Sequence, residues 1–139
     1  MNKQDKELLK KATEVLREHY LESRHTAAAA ARLKDGAIIT AINSQHFTGF
    51  VCAETALLNL VINQKNPEID TIVCVHYKHG TKKAEMVNPC GKCRQILLEY
   101  SPGVSFLVSD KDRIMKMPVA DLLPYAYVQS HTKRIWNEN

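Results

Sequence analysis

Four of the 139 residues are cysteine, at positions 52, 74, 90 and 93. Cys52 opens one apolar-patterned stretch, and Cys90 and Cys93 open another, so three of the four fall at expected helix starts. Unsatisfied N–H groups and partial positive charge at such a start favour the thiolate, the form that binds a metal ion. Positions three apart share a helix face, so Cys90 and Cys93 can grip one ion together. Three thiolates with a fourth position open describe a catalytic zinc centre, whereas a structural one is closed by a fourth protein ligand. Glu54, two residues after Cys52, has the reach to take a proton from water at that open position and deliver it elsewhere. Arg94, directly after Cys93, can donate to the thiolates and temper their charge.

Two plainer readings compete. A Cys-x-x-Cys pair at a helix start also suits thioredoxin-type redox chemistry. A structural zinc site would need a fourth ligand; Cys74 is available in number, but it stands inside the apolar run Ile72-Val73-Cys74-Val75 and reads as core. Among the histidines, His19 lies on an apolar helix face and reads as packed. His76, His79 and His131 fall in loop or edge positions and read as solvated. Lys78, Lys82 and Lys83 form a basic cluster on a loop, read as a solvated surface in preference to an anion-attracting one.

The elements that must position these groups follow from periodicity. Residues 5–23 carry Leu8, Leu9, Ala12, Val15, Leu16 and His19 at steps of three and four, an amphipathic helix. Residues 27–31 are all alanine and read as a strand, joined through the Asp35-Gly36 turn to the β-branched run 37–42 in a hairpin. Residues 52–64 are apolar nearly all round, as in a buried helix. Residues 69–77 read as a central strand, 90–100 as a helix, 104–109 as a strand and 119–123 as a short final helix. Strands alternating with helices indicate an α/β layer structure.

Composition sets the outer bounds. With 45% hydrophobic and 24% charged residues, the chain has the profile of one soluble domain spanning 1–139. A net charge of +4 is spread along the sequence without interleaved aromatic platforms, which argues against a nucleic-acid partner. No apolar run approaches the roughly 18 residues of a membrane helix, and no export signal is seen, so a cytoplasmic location without membrane contact is expected.

Cys52-Ala53-Glu54 followed by Pro89-Cys90-Gly91-Lys92-Cys93-Arg94-Gln95 resembles the signature of the cytidine deaminases, and the likeness runs from about Arg24 to Pro124. It implies a three-layer α/β/α fold with a mixed five-stranded sheet, a Zn2+ ion held by Cys52, Cys90 and Cys93, and Glu54 as the proton shuttle. The implied reaction is hydrolytic loss of ammonia from C4 of the cytosine ring of a free nucleoside. Asn43 and Gln45 would face the sugar, and backbone groups of Ala53 the pyrimidine. Relatives of this length form homotetramers, with which the apolar helix from Cys52 and the tail 125–136 are compatible. Where many cytidine deaminases carry Asn-x-Glu-Asn, this chain has Asn43-Ser44-Gln45-His46. The stretch His46-Phe47-Thr48-Gly49 is instead similar to blasticidin S deaminases, whose substrate bears a sugar carboxylate. A neutral Gln45 removes a like-charge clash with such a group. His25, in place of an aromatic, and His46 are the two histidines that the resemblance puts near the pocket.

Overall fold

The computed structural model describes residues 1–64 and 68–128. Helix α1 covers Lys3–His19, with the Asn2 side chain accepting from the Asp5 N–H at 2.8 Å as its cap. Leu8, Ala12 and Leu16 form its buried stripe. The helix stops four residues short of the expected end. Tyr20 turns into extended backbone and packs its ring, tilted by 60°, against Tyr77 with centroids 4.9 Å apart, and Leu21 bridges to His25 around Ser23 at φ 64°. Tyr20 therefore takes the packing position expected of His19, which is exposed and lies 3.8 Å from Glu18.

Strand β1 (Ala27–Leu33) pairs antiparallel with β2 (Ile38–Ile42) on one side and with β5 (Ile69–Tyr77) on the other. The β1–β2 turn holds the Ala37 N–H on the Asp35 carboxylate at 2.9 Å and places Gly36 at φ 93°, a left-handed conformation that glycine adopts without strain. Because β1 is central, both its faces are covered, and Ala28, Ala29, Ala30 and Ala31 are fully buried. Alanine is a poor strand former in isolation. Here burial decides, because small side chains let helices pack closely on both faces.

β5 runs parallel to β7 (Ser105–Asp110) at Thr71–Ser105 and Ile72–Phe106, and β7 turns back into antiparallel β8 (Arg113–Pro118). The order β2-β1-β5-β7-β8 is the expected mixed five-stranded path. A sixth strand, β6 (Ala84–Met86), adds antiparallel to β5 at Val75–Tyr77, beyond the point where β7 leaves it. β3 (Ser44–His46) and β4 (Gly49–Val51) make a separate exposed hairpin.

α1 covers one face of the sheet. α2 (Ala53–Ile62) and α3 (Gly91–Tyr100) cover the other, with a 3-10 turn at Val119–Leu122 beside them, which completes the three layers. The expected last helix is thus only this 3-10 turn. At one edge Arg32 Nη2 lies 3.0 Å from both Asp5 Oδ1 and Asp70 Oδ2, pinning α1 to β1 and β5. No helix among the described residues is long and apolar enough to cross a membrane. His131 and most of the tail 125–136 lie outside the described residues.

Candidate active site

The two helices on the second face begin side by side. Cys52 is the N-cap of α2 and Cys90 the N-cap of α3, both in extended backbone and neither thiol capping its own helix. Cys93 lies in the first turn of α3, buried, with its thiol 3.6 Å from Thr55 Oγ1. The sulfurs of Cys52 and Cys90 are 3.9 Å apart, and all three sulfurs lie within 4.8 Å of one another. Tetrahedral zinc–sulfur bonds of about 2.3 Å require sulfurs about 3.8 Å apart, so the trio already has the spacing of a shared ion. All three cysteines are free thiols.

The electrostatics divide the three thiols, and only one shows the lowered pKa expected at a helix start. Cys90's thiol is lowered from its ordinary pKa: burial opposes ionisation, but the Cys93 backbone N–H and the thiols of Cys93 and Cys52 outweigh it. Burial pushes Cys52 up, aided by Cys90 and Glu54 and opposed by a bond from Cys93. Cys93 is pushed far up by burial, with the Glu54 charge adding to it. Three thiols this close cannot all ionise without a cation between them, and a divalent ion supplies what the protein lacks.

Glu54 stands in the first turn of α2, 5% exposed, and Cys93 Sγ donates to its Oε2 at 3.8 Å. Burial raises its carboxyl pKa, partly offset by its own backbone N–H and the thiols of Cys74 and Cys93. Beside these groups opens a cavity of about 230 Å³, whose lining includes Cys52, Ala53, Glu54 and Cys90 together with Thr26, Asn43, Gln45 and Phe50. Two of three clustered thiols, a buried carboxyl and polar side groups therefore share one concave surface.

Other expected site residues are arranged differently. Asn43 is buried, and its Oδ1 accepts from the Thr26 and Ala27 N–H groups at 2.6 and 3.0 Å while its Nδ2 donates to Thr26 Oγ1 at 3.0 Å. Gln45 Nε2 reaches the same hydroxyl at 3.3 Å. Arg94 donates Nε to Pro89 O at 2.7 Å and Nη1 to Leu122 O at 2.9 Å, so these N–H groups brace the cysteine-bearing turn. His46 bonds Thr48 through Nδ1 and stacks on Phe47 in the exposed hairpin, and His25 bonds Asn43 O; neither lines the cavity. Of the basic loop, Lys82 lies over the Tyr20 ring at 4.8 Å, on the α1 side of the sheet. Cys74 is core as expected, 3% exposed, yet it also lines the cavity beside Glu54. Its place followed from strand alternation, since with Ile72 it faces away from Val73 and Val75. Thr26 and Asn88 also line the cavity, and nothing in their types or spacing singled them out.

The family model of the cytidine and deoxycytidylate deaminase zinc-binding region matches residues 2–108. The chain belongs to this family. It is a hydrolytic deaminase that binds zinc. The deaminase is 30% identical to blasticidin-S deaminase of Bacillus cereus over 135 residues, covering 94% of this chain and 96% of that one. It is 33% identical over 107 residues to cytidine deaminase of Mycobacterium tuberculosis, covering 76% and 74%. The crystal structure of the M. tuberculosis cytidine deaminase superposes with a TM-score of 0.72 at 27% identity, covering 92% of this chain and all of that one. The cytidine deaminase of Bacillus anthracis, at 22% identity and TM-score 0.76, shares the fold.

Proposed function

We propose that this deaminase converts free cytidine and deoxycytidine to the uracil nucleosides, with Cys52, Cys90 and Cys93 as zinc ligands and Glu54 as the proton carrier. The observation that carries the reading is the single cavity shared by Cys52, Cys90, Glu54, Asn43 and Gln45. The three sulfurs would hold a zinc ion, which would supply Lewis-acid activation of water. Glu54 takes the proton of the attacking water at its carboxylate and delivers one to N3 of the ring. As the C4–O bond forms, C4 becomes tetrahedral. Glu54 then takes the proton of the new C4 hydroxyl and passes it to the exocyclic amine; the C4–N bond breaks, the C4 carbonyl forms and ammonia leaves. Buried beside Cys93 and Cys74, its carboxyl is kept from bulk water between these transfers. Ala53, 1% exposed in the first turn of α2, brings backbone N–H without side-chain bulk to the ring's edge.

A second reading is a blasticidin S-type substrate, and a specific observation favours it. Position 45 is a neutral amide already turned toward Thr26, so the sugar end of the cavity lacks the carboxylate that would repel an anionic sugar. The near full-length likeness to a blasticidin-S deaminase supports the same reading. The test is separate incubation of zinc-loaded enzyme with cytidine, deoxycytidine and blasticidin S, followed by ultraviolet absorbance. Turnover of the plain nucleosides supports the first reading and a role in pyrimidine salvage; turnover of blasticidin S alone replaces it with the second. Gln45→Glu is expected to shift preference toward the plain ribosides by about tenfold, and an unchanged ratio would remove position 45 from sugar recognition.

The same reading makes the chain one catalytic domain, cytoplasmic, acting on a small nucleoside and not on a nucleic acid. It also makes it a homotetramer, supported by the exposed Phe47, Phe50 and Val51 of the β3–β4 hairpin, of which Phe50 also lines the cavity. Sedimentation equilibrium at micromolar protein checks the assembly, and a monomer would remove it.

A further inference from the structure

Asn88 takes no part in the chemistry proposed above, yet it closes a gap in the sheet two residues before Cys90. β5 and β7 pair only at Thr71–Ser105 and Ile72–Phe106, after which β6 occupies the edge of β5. By Ser109, β7 has β8 on one side and, among the described residues, no strand on the other. Asn88 fills that place. Its Oδ1 accepts from the Ser109 N–H at 2.9 Å and its Nδ2 donates to the Ser109 carbonyl at 2.9 Å. One planar amide thus makes the two bonds that a neighbouring strand's backbone would make. Its orientation is fixed, because only the amide oxygen can accept and only the nitrogen can donate.

The same turn is held at each neighbouring residue. The Val87 N–H donates to Cys74 O at 3.0 Å, and Arg94 Nε donates to Pro89 O at 2.7 Å while bonding Leu122 O through Nη1. Cys90 itself is exposed and makes no capping bond, so its own side chain does not fix it. Its carbonyl accepts from the Arg94 N–H at 3.0 Å on the helix side, so the backbone before it is the other restraint on where its sulfur lies, 3.9 Å from that of Cys52.

We propose that Asn88 is a positioning residue for Cys90: by standing in for a strand beside Ser109, its amide fixes the turn that carries the thiol and thereby sets the affinity of the three-cysteine centre for zinc. This rests on the reading that Cys90 is a ligand. Asn88 is exposed, so water can reach the Ser109 groups it would leave behind. What changes is the freedom of the turn, which zinc must then quench on binding. Losing an outer partner of a metal ligand typically lowers affinity by about 10–100-fold.

The test is zinc competition against a chromogenic chelator for the wild type, Asn88→Ala, Asn88→Ser, Ser109→Ala and Cys90→Ala. Both Asn88 variants should bind zinc about tenfold or more weakly, with zinc-free melting temperatures close to wild type. Ser109→Ala should match the wild type, because only the backbone of Ser109 is used. In the cobalt-loaded Asn88 variants the thiolate-to-metal absorption band should weaken or shift, a change that general destabilisation would not cause. If Cys90→Ala binds zinc normally, the ligand assignment falls. If Cys90→Ala loses zinc while both Asn88 variants keep wild-type affinity within about threefold, the role of Asn88 falls and the ligand set stands. Should both Asn88 variants fail to fold, the wild type still decides through hydrogen exchange. Zinc should protect the Ser109 amide more than the amides of β8, and equal protection overturns the proposal.

Discussion

The two faces of β5 bury side chains of opposite character. Val73 and Val75 point to α1, where Leu8, Ala12, Leu16, Ala28, Ala30 and Leu107 complete a cluster of hydrocarbon alone. Ile72 and Cys74 point to α2 and α3, where the same depth of burial holds Glu54, Cys93 and the cavity. The first face stabilises and contributes no chemistry. The second keeps a carboxyl and two thiols away from water, an arrangement that costs stability unless a cation and a substrate complete it. A rigid apolar layer behind the sheet lets the other layer carry that cost.

If the division is right, the largest disruption comes from the ligands. Cys93→Ala should bind zinc too weakly to survive gel filtration, and chelator should lower the melting temperature of the wild type while leaving the variant unmoved. Metal content by atomic emission checks this; a zinc-replete Cys93→Ala protein would contradict the three-thiol set. Glu54→Gln acts on the same face but only on the proton. Zinc content and melting temperature should stay near wild type while kcat falls by about 10²–10⁴-fold, the usual contribution of a general acid–base group. A variant with near-normal kcat would mean that another group carries the proton.

The opposite face should answer in the opposite currency. Leu16→Ala, fully buried in the hydrocarbon cluster, should lower unfolding free energy by about 2–5 kcal/mol. Below its melting point, zinc affinity and kcat per folded molecule should not move. Urea titration with a parallel activity assay separates the two, and a Leu16→Ala protein that loses zinc before it unfolds would show that the faces are coupled.

The same division explains what was legible in the sequence. The three thiols and Glu54 could be read because helix starts and spacing constrain them chemically, and the apolar stripe of α1 could be read because it has one face to satisfy. The alanine run of β1 was legible only from its turn, since alanine by itself favours helix and the strand exists because two layers close on it. β8 escaped notice because Arg113, Met115, Lys116 and Met117 carry no strong β-branched pattern, and the strand forms only as the edge partner of β7. The sugar end was least legible. Asn43 and Gln45 both line the cavity, but their amides converge on the hydroxyl of Thr26, a meeting made by the β1–β2 register and invisible in linear spacing.

The smallest effect should come from the charged edge that joins α1 to the sheet. Asp70 accepts from Thr71 at 2.8 Å and from Arg32 at 3.0 Å, with Lys116 at 3.9 Å. Burial works against its charge, but the Thr71 and Arg32 hydrogen bonds and the Lys116 and Arg32 charges prevail, and its pKa lies below the ordinary value. A carboxyl depressed by folding adds stability above its unfolded pKa of about 3.9, and that share is lost as pH falls through the lower folded value. Asp70→Asn should therefore be less stable than wild type at neutral pH, and the two should converge in acid below about pH 4. Asp70 is 35% exposed and Arg32 keeps Asp5, so the neutral-pH gap should stay under about 1 kcal/mol. Urea midpoints from pH 3 to pH 8 measure it. Convergence with unchanged kcat would confine this edge to stability, whereas a parallel loss of kcat would mean that α1, pinned through Asp5 and Arg32, reaches the cavity through the alanines of β1.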